Sequence, residues 1–322
     1  MKISIAMATY NGAKYLREQL DSLASQTLLP NELVVCDDNS TDETVNIILN
    51  FKSAAPFEVY ILKNEVNIGY TKNFEKAMAI CTGNLILLCD QDDFWFSNKI
   101  MLIDKFAKTY SQIPHLIIND AVYADIDLNH QSTTVVAKTR QTSGANHIPV
   151  NGACSAISKE FRDFLVPFPV DLRTNYDTYI HRWGHLLENR ILLDLVLQVW
   201  RIHGKNVTSN EMSLPKNISK YQLYKKYRTS EVVEDYIAYR DDAESMLVML
   251  NNRLDLFKKL NLSLSSDQIS QNLGKIVKSY NNRIKLLAAG FIFRRINALE
   301  MLIAGQYKYF RGFKSFLKDV LR

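Results

Sequence analysis

The chain has 322 residues, of which 47% are hydrophobic and 23% are charged, and its formal net charge is +5. These proportions predict a packed globular core, and so mild a charge does not indicate a nucleic-acid binder. Four cysteines without CxxC or Cys/His spacing favour buried thiols in a reducing cytosol over disulfides or zinc ligands. The apolar runs are too short for a secretory signal or a membrane span, so we expect a soluble or peripheral protein.

Strand patterns alternate with helix patterns up to about residue 110. The predicted strands are Ile3–Ala8, Glu32–Cys36, Phe57–Leu62 and Asn84–Cys89, and the predicted helices are Ala13–Ser25, one from Ser40 and one from about Lys72. Ser40 with Glu43 three residues later predicts a capping box for the second helix. This alternation predicts an α/β fold with parallel strands, in which ligands bind at the carboxyl ends of the strands.

Polar clusters follow three of these strands, at Thr9–Gly12, Asp37–Asn39 and Asp90–Asp93. Neighbouring carboxylates repel each other unless a cation lies among them, and Mg²⁺ is usually held by one or two carboxylates plus substrate phosphates. The alternative is that the acids cap the helices that follow. Because the three clusters converge on one rim of the predicted sheet, we favour a metal and phosphate site.

The strand and helix rhythm weakens after residue 110. Short strands are predicted at Leu116–Asn119 and Ala153–Ile157, then a helix at Asn175–Leu187 and a long strand at Ile191–Val199. Beyond about residue 210 the sequence has few glycines and prolines and several apolar helix faces. We therefore expect a boundary near residue 210, followed by a helical region over 211–322.

The C-terminal stretch from Asn281 carries nine basic and two acidic residues, interleaved with aromatic ones. Two interpretations stay open for it. A basic amphipathic helix suits the surface of an anionic membrane. Such a helix also packs its apolar face on the rest of the protein or on a second subunit. No nucleic-acid partner is expected, since no recognised binding module accompanies the charge.

Four motifs resemble those of the family 2 glycosyltransferases: ATYNGAKYLREQLDSLASQT, VVCDDNSTDET, NIGYTKNF and CDQDDFW. The resemblance covers residues 1 to about 210. It implies a GT-A catalytic domain, with a Rossmann-like, mostly parallel central sheet flanked by helices. Residues 1–110 would form the nucleotide-sugar half and residues 111–210 the acceptor half. The DQDD-x-W form, with RIHGKNV further on, is most similar to bacterial rhamnosyltransferases of surface polysaccharide assembly.

The resemblance assigns the nucleotide contacts to the first strand ends. Asp38 would accept a hydrogen bond from the imide N–H of a pyrimidine, as a charged acceptor strengthens such a bond. The alternative for Asp37 and Asp38 is capping of the next helix. The other implied contacts of the nucleotide sugar are Thr9, Tyr10, Asn11, Lys72 and Asn73, the last of which is equally well explained as a helix start.

The acidic motif and the end of the last strand imply the metal site. Asp92 would ligate Mn²⁺ or Mg²⁺ at the diphosphate, with Asp90 nearer the ribose or a metal-bound water. His203 would complete the metal shell or contact the diphosphate, although a structural histidine is nearly as good an interpretation. Arg201 would neutralise phosphate. We expect Asp93 to cap the following helix and Trp95 to pack beneath the loop.

An inverting transfer also needs a base. The residue that matches the family's base is Asp177, with Tyr176 in place of the family's usual first acid. The alternative role of Asp177 is to cap the start of the helix. Asp171 and Glu188 are the other candidates. Four further residues of the same predicted helix would face the acceptor: His181, Arg182, Trp183 and His185. The loop 205–216 would close over the donor.

Tyr179 stands where processive synthases have the glutamine of Q-x-x-R-W, which argues against a polymer synthase. The resemblance thus implies a metal-dependent, inverting hexosyl- or deoxyhexosyltransferase. It would use UDP- or dTDP-sugars and a glycan or lipid-linked acceptor at the cytoplasmic face of the membrane. Two rivals remain. A nucleotidylyltransferase would show G-x-G-T-x-x-R after the first strand, where this chain has Thr9-Tyr10-Asn11-Gly12. A catalytically inactive GT-A module would bind glycan or scaffold an assembly, and the presence of Asp38, Asp90, Asp92 and Asp177 together argues against it.

Overall fold

The computed structural model describes residues 1–109, 116–143, 151–204 and 231–321, and the elements that follow are those of these residues. The strands are β1 Ile3–Thr9, β2 Glu32–Asp37, β3 Glu58–Lys63, β4 Leu85–Cys89, β5 Phe94–Trp95, β6 Leu116–Ala124, β7 His130–Thr134, β8 Ser155–Ser158 and β9 Arg190–Arg201. The helices are α1 Ala13–Ala24, α2 Thr44–Lys52, α3 Tyr70–Ile80, α4 Lys99–Thr109, α5 Val135–Ser143, α6 Lys159–Leu165, α7 Tyr176–Leu186, α8 Glu231–Asn252, α9 Leu254–Lys259, α10 Ser266–Ala288, α11 Phe291–Ile303 and α12 Phe313–Leu321.

All described strands belong to one sheet, in the order β3-β2-β1-β4-β8-β6-β9-β5, with β7 paired to β6. The four strands β3, β2, β1 and β4 are parallel, as the alternating pattern predicts. The sheet then becomes mixed, because β8 is antiparallel to both β4 and β6, while β9 is parallel to β6. The fold class is confirmed, and the parallel arrangement ends where the strand and helix rhythm of the sequence weakens.

The central strands are apolar throughout because helices cover both faces of the sheet. Successive residues of a strand point to opposite faces, and the two faces carry separate cores. Ala6 and Val34 belong to one core, whereas their neighbours Ile5 and Leu33 belong to the other. This double cover leaves the polar residues of these strands near their ends: Ser4 and Glu32 at the amino ends, and Thr9 and Asp37 at the carboxyl ends.

Residues 231–321 are helical, as predicted, while the expected boundary near residue 210 lies outside the described residues. Met246 and Leu250 of α8 share a core with Phe164 of α6 and Trp183 of α7, so α8 packs directly on the N-terminal region. A small separate cluster joins α10, α11 and α12 around Met301. Among the described helices, none has the length and apolar character needed to cross a bilayer.

Candidate active site

The carboxyl ends of β1, β2 and β4 open into one cleft of about 890 Å³. The start of α7 and the end of β9 complete its wall. Nine of the residues predicted for the site line it: Thr9, Tyr10, Asn11, Asp38, Asn73, Asp90, Asp92, Asp177 and His203. The predicted residues Lys72 and Arg201 are not among its lining. The three polar clusters of the sequence therefore meet in one place.

Asp38 is buried directly after β2, where its carboxylate is held by the loop before α3. Its Oδ1 accepts hydrogen bonds from the Asn64 side chain at 2.9 Å and the Ile68 N–H at 2.8 Å, and its Oδ2 accepts one from the Gly69 N–H at 2.9 Å. Gly69 has φ 83°, which disfavours any other residue at this turn. Because a carboxylate offers about four acceptor positions, Oδ2 keeps one for a ligand.

Asp37 and Ser40 hold the turn after β2 and do not cap the next helix. The hydroxyl and N–H of Ser40 donate to the Asp37 carboxylate, to which Thr9 Oγ1 also donates at 3.0 Å. Ser40 Oγ in turn accepts a bond from the Asn11 N–H at 2.9 Å. The predicted capping box is wrong: α2 begins after Glu43, which makes no side-chain cap bond, because Ser40 instead ties the β1 loop to β2.

The two predicted residues of α3 lie in different places. Asn73 is buried, and its Nδ2 donates to the Cys36 carbonyl at 2.7 Å while its Oδ1 accepts from Asn64 at 3.0 Å. It therefore ties α3 to the end of β2. Lys72 donates from Nζ to Glu75 at 2.8 Å on the same helix, outside the cleft lining.

Asp92 and His203 form a pair within the cleft, with Asp92 Oδ2 and His203 Nε2 2.8 Å apart. Tyr15 of α1 stacks on the His203 ring at a centroid distance of 4.7 Å, which fixes the plane of the imidazole. A carboxylate and an imidazole fit a divalent cation whose other ligands are water and substrate phosphates. In the described part of the chain, no cluster of three or more metal-ligating side chains occurs.

Arg201 is 1% exposed and lies behind the segment Asp90–Asp93, which is called the acidic loop from here on. Its Nε donates to the Asp92 carbonyl at 3.0 Å and its Nη1 to the Ile126 carbonyl at 2.7 Å, and its guanidinium also pairs with Glu18. The same group lies 4.7 Å from the centre of the Tyr15 ring. Arg201 thus contacts the main chain of Asp92 and the ring that stacks on the neighbouring histidine, a position that differs from the predicted phosphate contact.

Gln91 was not identified from the sequence, yet it joins the acidic loop to the end of β1. Its Oε1 accepts from the Tyr10 N–H at 2.9 Å, and its Nε2 donates to the Tyr10 carbonyl at 3.1 Å. These two hydrogen bonds fix the distance between the polar clusters Thr9–Gly12 and Asp90–Asp93. The only feature of the sequence that could have identified Gln91 is its position between two aspartates.

Asp90 and Asp93 both have raised pKa values. Burial, followed by the charge of Asp92, raises the pKa of Asp90 to about 7, against a bond from Asn151 Nδ2 at 3.2 Å that lowers it. Burial and Asp90 raise the pKa of Asp93, whose Oδ2 accepts from Gln198 at 2.9 Å. The prediction that Asp93 caps the next helix is wrong, because β5 follows it directly.

Lys99 is a further buried group that the sequence reasoning missed. Its Nζ donates to the Ala153 carbonyl at 3.2 Å and to Gln198, and it lies 3.7 Å from the centre of the Trp95 ring. Burial lowers the pKa of Lys99 to about 8. Trp95 is fully buried, as predicted. A lysine in the first turn of α4, where the helix dipole disfavours a cation, is a signal that could have identified it.

Asp177 lies in the first turn of α7 and lines the cleft, and burial raises its pKa. Its Oδ1 accepts from the N–H of Thr178 at 2.6 Å. The N-cap position belongs to Asn175, whose Oδ1 accepts from the Tyr70 hydroxyl. The alternative interpretation of Asp177 as an N-cap is therefore wrong, since the helix begins one residue before it.

The other two candidate bases lie elsewhere. Asp171 accepts a bond from Ser245 of α8 at 3.1 Å and lines a separate cavity of about 520 Å³. Glu188 follows the end of α7, with φ 55°. Neither lines the cleft, so Asp177 is the one of the three candidates that does.

The remaining predicted residues of α7 do not line the cleft. Trp183 is fully buried, and His181 Nε2 lies 2.9 Å from the Ser155 hydroxyl. Arg182 forms an ion pair with α8 at 3.4 Å, and His185 lies in the last turn of the helix. The prediction that these four residues face the acceptor does not hold for this cleft. The loop 205–216, predicted to close over the donor, lies outside the described residues.

A family model described as glycosyl transferase family 2 matches residues 4–157. An Escherichia coli protein named UDP-Glc:alpha-D-GlcNAc-diphosphoundecaprenol beta-1,3-glucosyltransferase WfaP is 34% identical over 214 residues, 65% of this chain and 80% of that protein. An uncharacterized glycosyltransferase of Nostoc is 28% identical over 249 residues, 74% of each chain. The chain spans about a third of the length of Mycobacterium proteins that it matches at 33% identity.

Two solved structures share the fold. TarS 1-349 of S. aureus in complex with UDP-GlcNAc has a TM-score of 0.57 at 21% identity, over 99% of this chain and 82% of that one. The mannosyltransferase PcManGT of Pyrobaculum calidifontis, in complex with GDP-Man and Mn²⁺, has a TM-score of 0.52 at 15% identity, over 99% and 86%. At such identities the likeness concerns the fold alone.

Proposed function

Because the chain belongs to glycosyl transferase family 2, with the GT-A fold expected of that family, we propose that it transfers a sugar from a nucleoside diphosphate sugar to a hydroxyl group, with inversion at the anomeric carbon. The donor would carry UDP or dTDP. The acceptor would be a glycan or a lipid-linked sugar of bacterial cell-surface polysaccharide synthesis.

One observation carries this proposal. The cleft of about 890 Å³ is lined at once by Asp38, by the pair of Asp92 and His203, and by Asp177. An inverting transfer needs a nucleoside contact, a site for the diphosphate charge and a base, all within reach of one donor. The side chains that fit these needs lie after β2, β4 and β9 and in the first turn of α7, which are far apart in sequence.

Asp38 would bind the base of the nucleotide. Its three hydrogen bonds hold the carboxylate in place and leave an acceptor position on Oδ2, which suits the imide N–H shared by uracil and thymine. The Escherichia coli relative is named for UDP-Glc and a diphosphoundecaprenol acceptor, which supports a UDP donor and a lipid-linked acceptor here.

Asp92 and His203 would hold Mn²⁺ or Mg²⁺. The cation would offset the negative charge that builds up on the departing diphosphate. Arg201 and Tyr15 would keep this pair in place, through the Asp92 carbonyl and the His203 ring. Asp90, next to Asp92 and bonded to Asn151, would contact the ribose or a water of the cation.

Asp177 would act as the base. Its carboxylate takes the proton of the acceptor hydroxyl as that oxygen forms a bond to the anomeric carbon. The bond from this carbon to the diphosphate oxygen breaks, and the nucleoside diphosphate leaves with the electron pair. Since burial raises the pKa of Asp177, its carboxylate is a better proton acceptor than an exposed aspartate.

The test is release of nucleoside diphosphate from a panel of UDP- and dTDP-sugars, with and without Mn²⁺, by the purified protein. We expect metal-dependent release with at least one donor, and a further increase when a polyprenyl diphosphate sugar is added. An inactive module would bind a nucleotide sugar and release nothing. A nucleotidylyltransferase would instead form a nucleotide sugar and pyrophosphate from a sugar phosphate and a nucleoside triphosphate.

The acceptor chemistry suggests where the protein works. Nucleotide sugars are water-soluble, whereas a lipid-linked acceptor is confined to a bilayer. We therefore assign the protein to the cytoplasm, with access to the inner face of the cell membrane.

A further inference from the structure

Helix α11 exposes a stripe of large apolar side chains. The positions are four, three and four residues apart, which puts them on one side of a helix of 3.6 residues per turn. Their exposed fractions are high: Ile292 69%, Ile296 49%, Leu299 52% and Ile303 79%. The opposite side, with Ala298 and Met301, is buried against the neighbouring helices. Helix α11 is therefore apolar on two sides, although only one is needed for folding.

Helix α12 repeats this arrangement beside α11. Phe313, Leu317 and Leu321 are four residues apart and are 61%, 42% and 77% exposed. The two helices touch, since Arg295 Nε of α11 donates to the Val320 carbonyl of α12 at 3.2 Å. The seven side chains of the two stripes are named together the C-terminal apolar surface. Exposed apolar surface of this extent is typical of a docking site.

The charge around this surface is positive. Arg295, Arg311 and Lys314 are exposed on the two helices and the turn between them. Of the two acids after Asn281, Asp319 is fully buried, where it binds Arg283 and the Tyr307 hydroxyl. Its charge is thus compensated inside the protein. Glu300 remains as the acid on the outside, so cations dominate the rim of the apolar surface.

We propose that the C-terminal apolar surface docks on an anionic lipid bilayer. The apolar side chains would enter the boundary between headgroups and acyl chains, and the arginine and lysine side chains would bind the lipid phosphates. A second copy of the chain fits less well. A symmetric pairing of this surface would bring equal charges together, and like charges across an interface are costly.

Vesicle binding tests the proposal without any sugar donor. The full-length protein is mixed with phosphatidylcholine vesicles, with or without phosphatidylglycerol, and the bound fraction is measured by flotation. We expect binding that requires phosphatidylglycerol and weakens as salt is added. This readout needs no catalysis, so its failure is distinct from failure of the proposed glycosyl transfer.

Two variants and a matched control separate the contributions of the apolar and of the basic side chains to vesicle binding. In I292S/I296S/I303S the apolar stripe is removed, and the vesicle partition coefficient falls more than tenfold. In R311Q/K314Q it falls about fivefold for each charge removed. The control L49S/V170S/V248S changes three other exposed side chains of the protein and leaves binding unchanged. Circular dichroism and the thermal midpoint confirm that each variant is folded.

Three results would overturn the proposal. The first is equal binding to neutral and anionic vesicles. The second is an I292S/I296S/I303S variant that is folded and binds as well as the unchanged protein. The third is a protein that ignores vesicles but forms a dimer in sedimentation velocity, which the same variant dissociates; this result would assign the surface to a second copy.

Discussion

The cleft and the C-terminal apolar surface depart from the usual distribution of side chains in opposite directions. In and beside the cleft, carboxylates such as Asp38 after β2 and Asp93 after β4 are withdrawn from water. On α11 and α12, isoleucine, leucine and phenylalanine side chains are exposed to water. Folding alone favours neither arrangement, since a buried carboxylate and an exposed apolar stripe both cost free energy.

The difference lies in how the surrounding residues hold each region. The carboxylates are fixed by specific bonds, such as those of Asp38 to the loop before α3 and of Asp92 to His203 and Arg201. The apolar side chains of the stripe form no hydrogen bonds, and their helix is held by its buried side and by the bond from Arg295 to the Val320 carbonyl of α12. We infer that the cleft is preorganised for a particular ligand, whereas the stripe suits a partner without fixed geometry.

The largest effect is expected in the cleft, from Asp177→Asn. The variant keeps the shape of the side chain but cannot take the proton of the acceptor, so kcat falls by about 10²–10⁴. Nucleotide binding stays the same, because Asp38 and Asp92 are unchanged. Steady-state kinetics and calorimetry with UDP check the two parts. The control D171N, in the separate cavity, keeps its kcat; a loss there as large as in Asp177→Asn would contradict the assignment.

A pair of variants on α11 compares its two sides. Met301→Ala leaves a cavity on the buried side and lowers the free energy of unfolding by about 2–5 kcal/mol. Ile303→Ser on the exposed side changes it by less than about 0.5 kcal/mol, as isoleucine and serine have similar helix propensities. Urea denaturation measures both. Equal losses would mean that the stripe is covered in the folded protein.

Arg201→Lys tests whether the buried guanidinium positions the metal site. Lysine keeps the charge but loses the planar fork that bonds the Asp92 and Ile126 carbonyls. We expect the Mn²⁺ concentration for half-maximal activity to rise about 10–100-fold, as for other groups that orient metal ligands. A change of kcat at saturating Mn²⁺ without any change in the metal requirement would point to direct contact with phosphate.

The last prediction concerns pH and Asp90. Its pKa in the folded protein is about 7, against an ordinary 3.8, so the folded state binds the extra proton between these values. The metal-free protein is therefore most stable below pH 4 as far as this group is concerned, and loses that contribution as the pH rises towards 7. The variant Asp90→Asn has no ionisable group at this position, so it does not lose this stability as the pH rises.

Thermal midpoints in EDTA from pH 5 to 8 measure this difference. We expect the advantage of Asp90→Asn over the unchanged protein to grow with pH. Asp93 also has a raised pKa, and the charge of Asp90 is one of its causes. Asp90→Asn removes this charge and so also reduces the loss of stability from Asp93, which adds to the divergence of the two curves in the same direction. A constant difference across this range would contradict a buried, ionisable Asp90.

The sequence was sufficient to predict the strands and helices of the N-terminal region and the rim of the sheet at which the polar clusters meet. Strand ends such as Thr9, Asp37 and Cys89 agree with the predicted ends to within one residue. Helices cover both faces of the sheet, so the first strands carry mostly apolar residues between their ends. Parallel pairing then brings the following polar clusters to one rim. That much depends only on local pattern and strand direction.

The roles of individual side chains could not be predicted in the same way. Arg201 and Asp92 are far apart in sequence, and only the packing of β9 behind the acidic loop shows that the guanidinium bonds the aspartate's main chain. Ser40 matched a capping box, but a stronger local partner, Asp37, took its hydrogen bonds. In both cases a tertiary contact replaced the role that the motif suggested.

The most direct test of the account is a thermal-shift titration of the protein with UDP- and dTDP-sugars, with and without Mn²⁺, repeated with Asp92→Asn and with the exposed control Asp255→Asn. We predict that at least one sugar nucleotide raises the midpoint only when Mn²⁺ is present, and that Asp92→Asn loses this rise while Asp255→Asn keeps it. Indifference to every nucleotide, or an equal rise in Asp92→Asn, would contradict the claim that the carboxylates of this cleft hold a cation and a diphosphate.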